Sequence, residues 1–317
     1  MRILVVGAGA TGGFFGALLV KAGRDVTFLV RPNRAAALRE RGLRLTGLGE
    51  EEVITPQLVT AAELTAPYDL VLLSVKATAL QQAIDDVAPA IGPRTSIVPL
   101  LNGMAQLGEL TARFGARPVL GGVAKVVTTL NAEGDIVRLA SLAHLEIGEQ
   151  DGSPSARLED LRTVLEGAGI TVGVPEDIVA AMWHKWVFIT TIGAVTCLMR
   201  GTVGDVNAVP GGSAFALAVL AEAGAVAAAA GYTVPEGQLD VIGRMVTQDA
   251  PFASSLYRDV VAGHPTEAEH IFGDFLDHAR TLRVDTPLLD LATLHLRVHQ
   301  HRAAEATEAS GRPSEAA

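Results

Sequence analysis

The chain opens with an apolar run at residues 2–6 that stops at a cluster of glycines and resumes at residues 25–30. Between them, residues 14–22 are apolar without strict alternation and long enough for a helix, so the opening reads strand, turn, helix, strand. A near-continuous apolar stretch recurs at residues 68–75, and further strands are read at 96–100, 119–120, 123–130, 136–139 and 144–147. The run at 68–75 marks a strand covered on both faces, as in a parallel sheet. Residues 43–45 and 53–58 predict a strand pair around Gly47-Leu48-Gly49. Helical patterns fall at residues 35–41, 79–90 and 156–168, and a last short strand at 170–174.

At Pro175 the pattern changes. Residues 178–199, 214–230, 236–246, 267–280 and 287–301 read as helices, with almost no strand among them. A shift from alternating strands and helices to helices alone predicts a domain boundary. The expected division is an α/β domain over residues 1–174, an all-α helical domain over 175–302, and a disordered tail over 303–317, rich in Ala, Glu and Ser. A chain of 317 residues is long enough for two separate cores.

The glycines after the first strand, Gly7-Ala8-Gly9-Ala10-Thr11-Gly12, have GxGxxG spacing. Gly7 permits the turn out of the strand, Gly9 lets a pyrophosphate approach the backbone, and Gly12 lets the helix pack close. The phosphates then sit at the helix N-terminus. The strand before and the strand after make this a Rossmann-type dinucleotide site; alone, the spacing also fits a glycine-rich turn of another parallel α/β domain. Where an NAD-preferring protein places Asp or Glu, this chain has Val30-Arg31-Pro32-Asn33-Arg34. A guanidinium suits a 2′-phosphate through paired, charge-assisted hydrogen bonds, so Arg31, supported by Arg34, predicts NADPH/NADP+. The plain alternative is that both arginines are solvated loop charges.

Composition narrows the partners. A formal charge of −10 disfavours nucleic acid or an anionic membrane. A single cysteine, Cys197, excludes an intramolecular disulfide and fits a reducing, cytoplasmic compartment. Arg2 and the apolar run behind it imitate a signal peptide, but the glycine turn and immediate second strand argue against one. Residues 214–230 are mostly alanine and carry Glu222, so they read as a packed helix rather than a membrane span. The apolar helices of the second half can bury a homodimer interface or only a core.

The second half carries one unusual stretch, Met182-Trp183-His184-Lys185-Trp186-Val187-Phe188-Ile189. A lysine in so apolar a helix is costly unless its ammonium reaches a cleft or a carboxylate. In a cleft, Lys185 would protonate a developing alkoxide; otherwise its stem covers apolar surface. His184 reads as a surface or packing histidine. Cys197 and His264, His270, His278, His295, His299 and His301 form no metal signature, and no metal is expected. Further on, Ala253-Ser254-Ser255-Leu256-Tyr257-Arg258-Asp259 precedes Pro265-Thr266-Glu267-Ala268-Glu269. On spacing alone, Thr266 reads as a helix N-cap with Glu267 and Glu269 favouring the first turn. Lys76 and Asn102, by contrast, each follow the carboxyl end of a strand, the edge where open α/β sheets bind ligands.

Taken in order, the glycine turn, Val75-Lys76, Asn102-Gly103, Trp183-His184-Lys185, and Ser254-Ser255 through Asp259 to Thr266-Glu267 resemble the ketopantoate reductase family over roughly residues 1–300. The resemblance implies NADPH-dependent reduction of 2-dehydropantoate to pantoate, with the active site between the two domains. It implies Lys185 as the catalytic proton donor and Glu267 as the carboxylate working with it. Asn102 takes the junction of nicotinamide and substrate, Ser255 the substrate carboxylate, Lys76 a pocket position on the cofactor side, and Arg31 the 2′-phosphate. Family members that make pantoate commonly carry asparagines four and eight residues after the lysine, where this chain has Ile189 and Gly193. Both lie on the lysine's helical face. Their apolar character brings in a second reading, a reductase of a more apolar 2-keto acid or carbonyl compound. A third is a protein that senses NADP(H) without turnover.

Overall fold

The computed structural model describes residues 1–309; residues 310–317 of the expected tail lie outside them. The described chain falls into two compact units. One holds Met1–Leu101 and Gln106–Ala181; the other holds Asn102–Ala105 and the chain from Met182 onward.

In the first unit, β1 (Arg2–Val6), α1 (Ala10–Lys21), β2 (Asp25–Leu29) and α2 (Pro32–Arg41) follow the expected order. Next come β3 (Leu43–Gly47), β4 (Glu50–Ile54), β5 (Gln57–Val59), β6 (Leu70–Leu73), α3 (Leu80–Val87) and β7 (Ser96–Pro99). After α4 (Ala105–Phe114), the unit ends with β8 (Gly121–Leu130), β9 (Ile136–Gly148), α5 (Ala156–Glu166) and β10 (Thr171–Gly173). Strands β5-β2-β1-β6-β7 form one sheet whose neighbours are all parallel. The chain winds outward from β1 through β2 to β5, then crosses to β6 and β7 on the other side, so the turn after β1 sits where the strand order reverses.

A second sheet, β10-β9-β3-β4 with β8 paired to β9, was legible only as fragments. The expected strands at residues 136–139 and 144–147 are one thirteen-residue strand, β9. Nothing between them is Gly or Pro, so the ladder is never interrupted. Residues 119–120 do not form a strand of their own; Val119 makes only an isolated bridge to Ile97. The run 53–58 is split instead. Pro56 ends it, and the halves join different sheets as β4 and β5. The β3–β4 hairpin closes on Leu48 (φ 56°) and Gly49 (φ 81°), the positive-φ pair of a tight hairpin turn.

Helix α1 packs against both sheets through its glycines. A Cβ on Gly16 would lie 2.4 Å from the Phe28 ring of β2, and one on Gly13 would lie 2.5 Å from Ile136 of β9. The core formed there joins Phe15, Leu19 and Phe28 to Leu145 and Ile147.

Among the described residues no strand follows β10. The second unit takes in most of α6 (Ile178–Met199), followed by α7 (Val203–Asn207), α8 (Gly212–Ala229), α9 (Glu236–Thr247) and α10 (Ser255–Val261). A π-helical turn, Glu269–Gly273, leads into α11 (Asp274–Leu282), and α12 (Pro287–Ala309) follows. The tail expectation is corrected here: residues 303–309 continue α12, whose Ala303 is buried. Their alanine and glutamate are good helix formers with no breaker among them.

Helices α6 and α8 both have the length and hydropathy of a membrane span. In α6, Trp183, Trp186, Val187 and Val195 are buried in this unit. The Trp183 ring stacks on Tyr232 at 5.5 Å, and Trp186 meets Phe275 edge-on at 4.9 Å. On α8, Glu222 accepts hydrogen bonds from the backbone N–H groups of Leu288 (3.0 Å) and Leu289 (3.0 Å), so the one charge in that apolar helix caps the start of α12.

Candidate functional site

The glycine turn has the geometry its spacing predicts. Gly7 has φ +92°, open to glycine at no cost, and its N–H donates to Leu29 O at 3.0 Å. A Cβ on Gly12 would lie 1.8 Å from Ser74 Oγ and 2.5 Å from Gly7 O, so no other residue fits there without displacing backbone. Beside Gly9 the space is open, with nothing within 4 Å of a Cβ, and no side chain caps α1. Open space at an uncapped helix N-terminus suits a pyrophosphate.

Two side chains that sequence reasoning did not place hold this turn. Ser74 Oγ donates to Val6 O (3.0 Å) and Gly7 O (3.2 Å). The register pairs Val6 with Leu73, so Gly7 and Ser74 leave the sheet side by side; strand adjacency, had it been known, would have revealed the pair. Thr128 Oγ1 of β8 donates to Ala10 O at 3.1 Å.

The two arginines separate. Arg34 Nη2 donates to Ala8 O (3.2 Å) and Gly134 O (2.8 Å), and burial lowers its pKa from the ordinary value. It therefore braces the turn from behind. Arg31 is exposed at the N-cap of α2, just past the end of β2. Lys76 is exposed two residues beyond Ser74, at the start of the short turn Ala77–Ala79.

The second unit gathers the remaining residues. Lys185 is half-buried on α6, between buried Trp183 and Trp186. Trp186 Nε1 donates to Ile271 O at 2.9 Å, which locks α6 to the π-helical turn. Glu267 lies just before that turn and is half-buried. Asn102 is half-buried too, and its neighbour Gly103 (φ +82°) is pressed close to the same turn. A Cβ on Gly103 would be 3.0 Å from His270 O. Ser255 is exposed at the first position of α10. That helix is seated on α6 by Ser254, whose Oγ caps Tyr257 N (3.0 Å) and lies 2.9 Å from Thr196 Oγ1. Elements bearing Asn102, Lys185, Ser255 and Glu267, scattered over the sequence, thus belong to one unit.

Several expectations need adjustment. Thr266 is not a helix cap; its N–H (2.9 Å) and hydroxyl (3.3 Å) donate to Gln300 Oε1 of α12. The helix expected over residues 267–280 begins with the π-turn, a form often found near functional sites. Glu269 in that turn is paired with Arg297 through two hydrogen bonds of 2.7 Å, which hold its carboxyl below the ordinary range. His184 is half-buried. Cys197 is fully buried, and burial pushes its thiol up to about 12, so it is no nucleophile at neutral pH. No group of three or more His, Cys, Asp or Glu residues that could hold a metal ion occurs among the described residues.

Comparison with known proteins covers nearly the whole chain. The model of the family described as ketopantoate reductase PanE/ApbA matches residues 3–152, and that of its C-terminal domain matches residues 177–300. The chain is 31% identical to the uncharacterized oxidoreductase YkpB of Bacillus subtilis, over 95% of this chain and 99% of that one. A solved 2-dehydropantoate 2-reductase from Methylococcus capsulatus is 30% identical, with a TM-score of 0.82 over 96% of this chain and 98% of that one. A D-mandelate dehydrogenase solved with NADH and anilino(oxo)acetate shares the fold, at 19% identity and a TM-score of 0.86 over 96% of this chain and 100% of that one.

Proposed function

This chain belongs to the ketopantoate reductase family, and on that footing we propose that it reduces a 2-keto acid to the 2-hydroxy acid with NADPH. Family membership makes it an oxidoreductase acting on a CH–OH group. The observation that carries the finer reading is the placement of a half-buried lysine on a helix bolted to the turn that Glu267 precedes.

When bound, NADPH supplies a hydride to the keto carbon. Lys185 gives a proton to the carbonyl oxygen as it becomes an alkoxide, so that hydride and proton together complete the alcohol. Glu267 keeps the lysine charged and oriented before transfer. The Ser255 hydroxyl, exposed at a helix start, donates to the substrate carboxylate, and Asn102 orients the carbonyl. In the first unit the glycine turn from Gly7 to Gly12 takes the pyrophosphate, Arg31 the 2′-phosphate, and Lys76 a neighbouring phosphate or carboxylate. The buried single cysteine suits a cytoplasmic enzyme.

Oxidation of NADPH in the presence of 2-dehydropantoate tests this reading. Lys185→Ala is expected to lower kcat by about 10²–10⁴-fold while the protein still binds NADPH. Near-normal turnover by that variant removes the lysine from the mechanism. NADPH binding by the unmodified protein without oxidation by any keto acid makes it a sensor instead.

A further inference from the structure

The helical face that carries Lys185 is apolar on the side leading toward α10. Ile189, one turn on, is half-buried, and its side chain leans back toward the lysine, as helical side chains do. Gly193, two turns on, offers no side chain, and one there would be tightly packed. A Cβ there would lie 3.1 Å from the Phe272 ring and 3.6 Å from Leu256. Phe272 is itself fully buried, so a side chain at 193 would have to push its ring aside by a few tenths of an ångström and would meet an apolar surface. Thr196, the next polar group on this face, is committed, donating to Ile192 O at 2.6 Å and meeting Ser254 Oγ at 2.9 Å. On the flank nearer the Ser255 loop, Phe188 and Phe252 stack at 6.5 Å, both half-buried and so partly open to solvent.

From this wall we infer that the substrate is a 2-keto acid whose substituent beyond the carbonyl is bulky and purely hydrocarbon, with Ile189 and the bare Gly193 packed against Phe272 setting the preference. The inference rests on the reductase reading above. A keto acid engaged by Lys185 and Ser255 lays its substituent along Phe188, Ile189 and Phe252. A hydroxyl on that substituent loses its water there and gains no partner, which costs affinity. A branched or aromatic group loses nothing and buries area.

The test compares two keto acids that differ by a single hydroxyl, 2-dehydropantoate and its deoxy analogue 3,3-dimethyl-2-oxobutanoate, with phenylglyoxylate as an aromatic third. For the unmodified enzyme, kcat/KM with NADPH is expected to favour the deoxy compound by about 10- to 100-fold, the range in which an apolar pocket discriminates against an added hydroxyl. Ile189→Asn, checked for unchanged NADPH affinity, is expected to shift the ratio toward 2-dehydropantoate by about tenfold or more. Equal or better use of 2-dehydropantoate by the unmodified enzyme overturns the inference and leaves the reductase reading standing. An unmoved ratio in Ile189→Asn overturns the assignment to this face. Oxidation with none of the three compounds brings down the reductase reading itself.

Discussion

Trp186 and Ile271 are 85 positions apart in sequence and share a buried hydrogen bond of 2.9 Å, indole N–H to main-chain carbonyl. That bond ties the helix carrying Lys185 to the π-helical turn that follows Glu267. Trp186→Phe removes the donor together with the five-membered ring, so the lost hydrogen bond and the cavity left behind together cost about 1–3 kcal/mol or more. The expected result is a fall in melting temperature of several degrees together with a lower kcat, because the lysine's helix loses its clamp. A variant with unchanged melting and turnover would show the bond to be idle.

Arg31 and Arg34 lie three residues apart and are expected to fail differently. Arg31→Ala should raise KM for NADPH by about tenfold or more, roughly 1.4 kcal/mol, and leave KM for NADH where it was. Arg34→Ala removes donors to Ala8 O and Gly134 O, so it should weaken both cofactors and lower stability. Kinetics with each nucleotide separate the two; a parallel loss in Arg31→Ala would strip it of the selecting role.

Glu222→Ala tests the reading of the alanine-rich helix. Its carboxylate caps the N–H groups of Leu288 and Leu289. Losing the cap should cost about 1–2 kcal/mol, visible as a lower urea midpoint at unchanged slope. Because the cap sits at the first turn of α12, well before Arg297 and Gln300, which hold the segment around Glu267, kcat should hold at temperatures well below melting.

Glu149 makes the acid side of the stability curve testable. Arg157 first, then Ser155, hold its carboxyl below the ordinary value of 4.5, against an opposing push from burial. Arg157 Nε donates at 2.7 Å, and Ser155 Oγ at 2.6 Å. A carboxyl with a lowered folded pKa contributes stability that is present above its unfolded pKa and lost as pH falls through the folded one. Glu149→Gln should therefore melt below the unmodified protein near neutral pH, with the gap closing as pH drops below 4.5. A gap that widens in acid would reverse the sign and refute the pairing.

Local order was readable from the chain alone. The opening strand, glycine turn and helix, the long apolar α6, and the change to helices after Pro175 each depend on periodicity and on residues whose backbone limits are intrinsic. The oddity of a lysine flanked by two tryptophans was equally visible, since burying a charge is costly in any fold. Long-range pairing was not. Nothing in the spacing says that residues 136–148 run on as one strand, or that residues 53–58 divide between two sheets at Pro56. Nor does it say that Arg34 reaches back to Ala8 or that Phe272 packs against Gly193. Such contacts join residues far apart along the backbone, and they form because packing fills space and pairs most buried polar groups, a condition that only the assembled three-dimensional chain can satisfy.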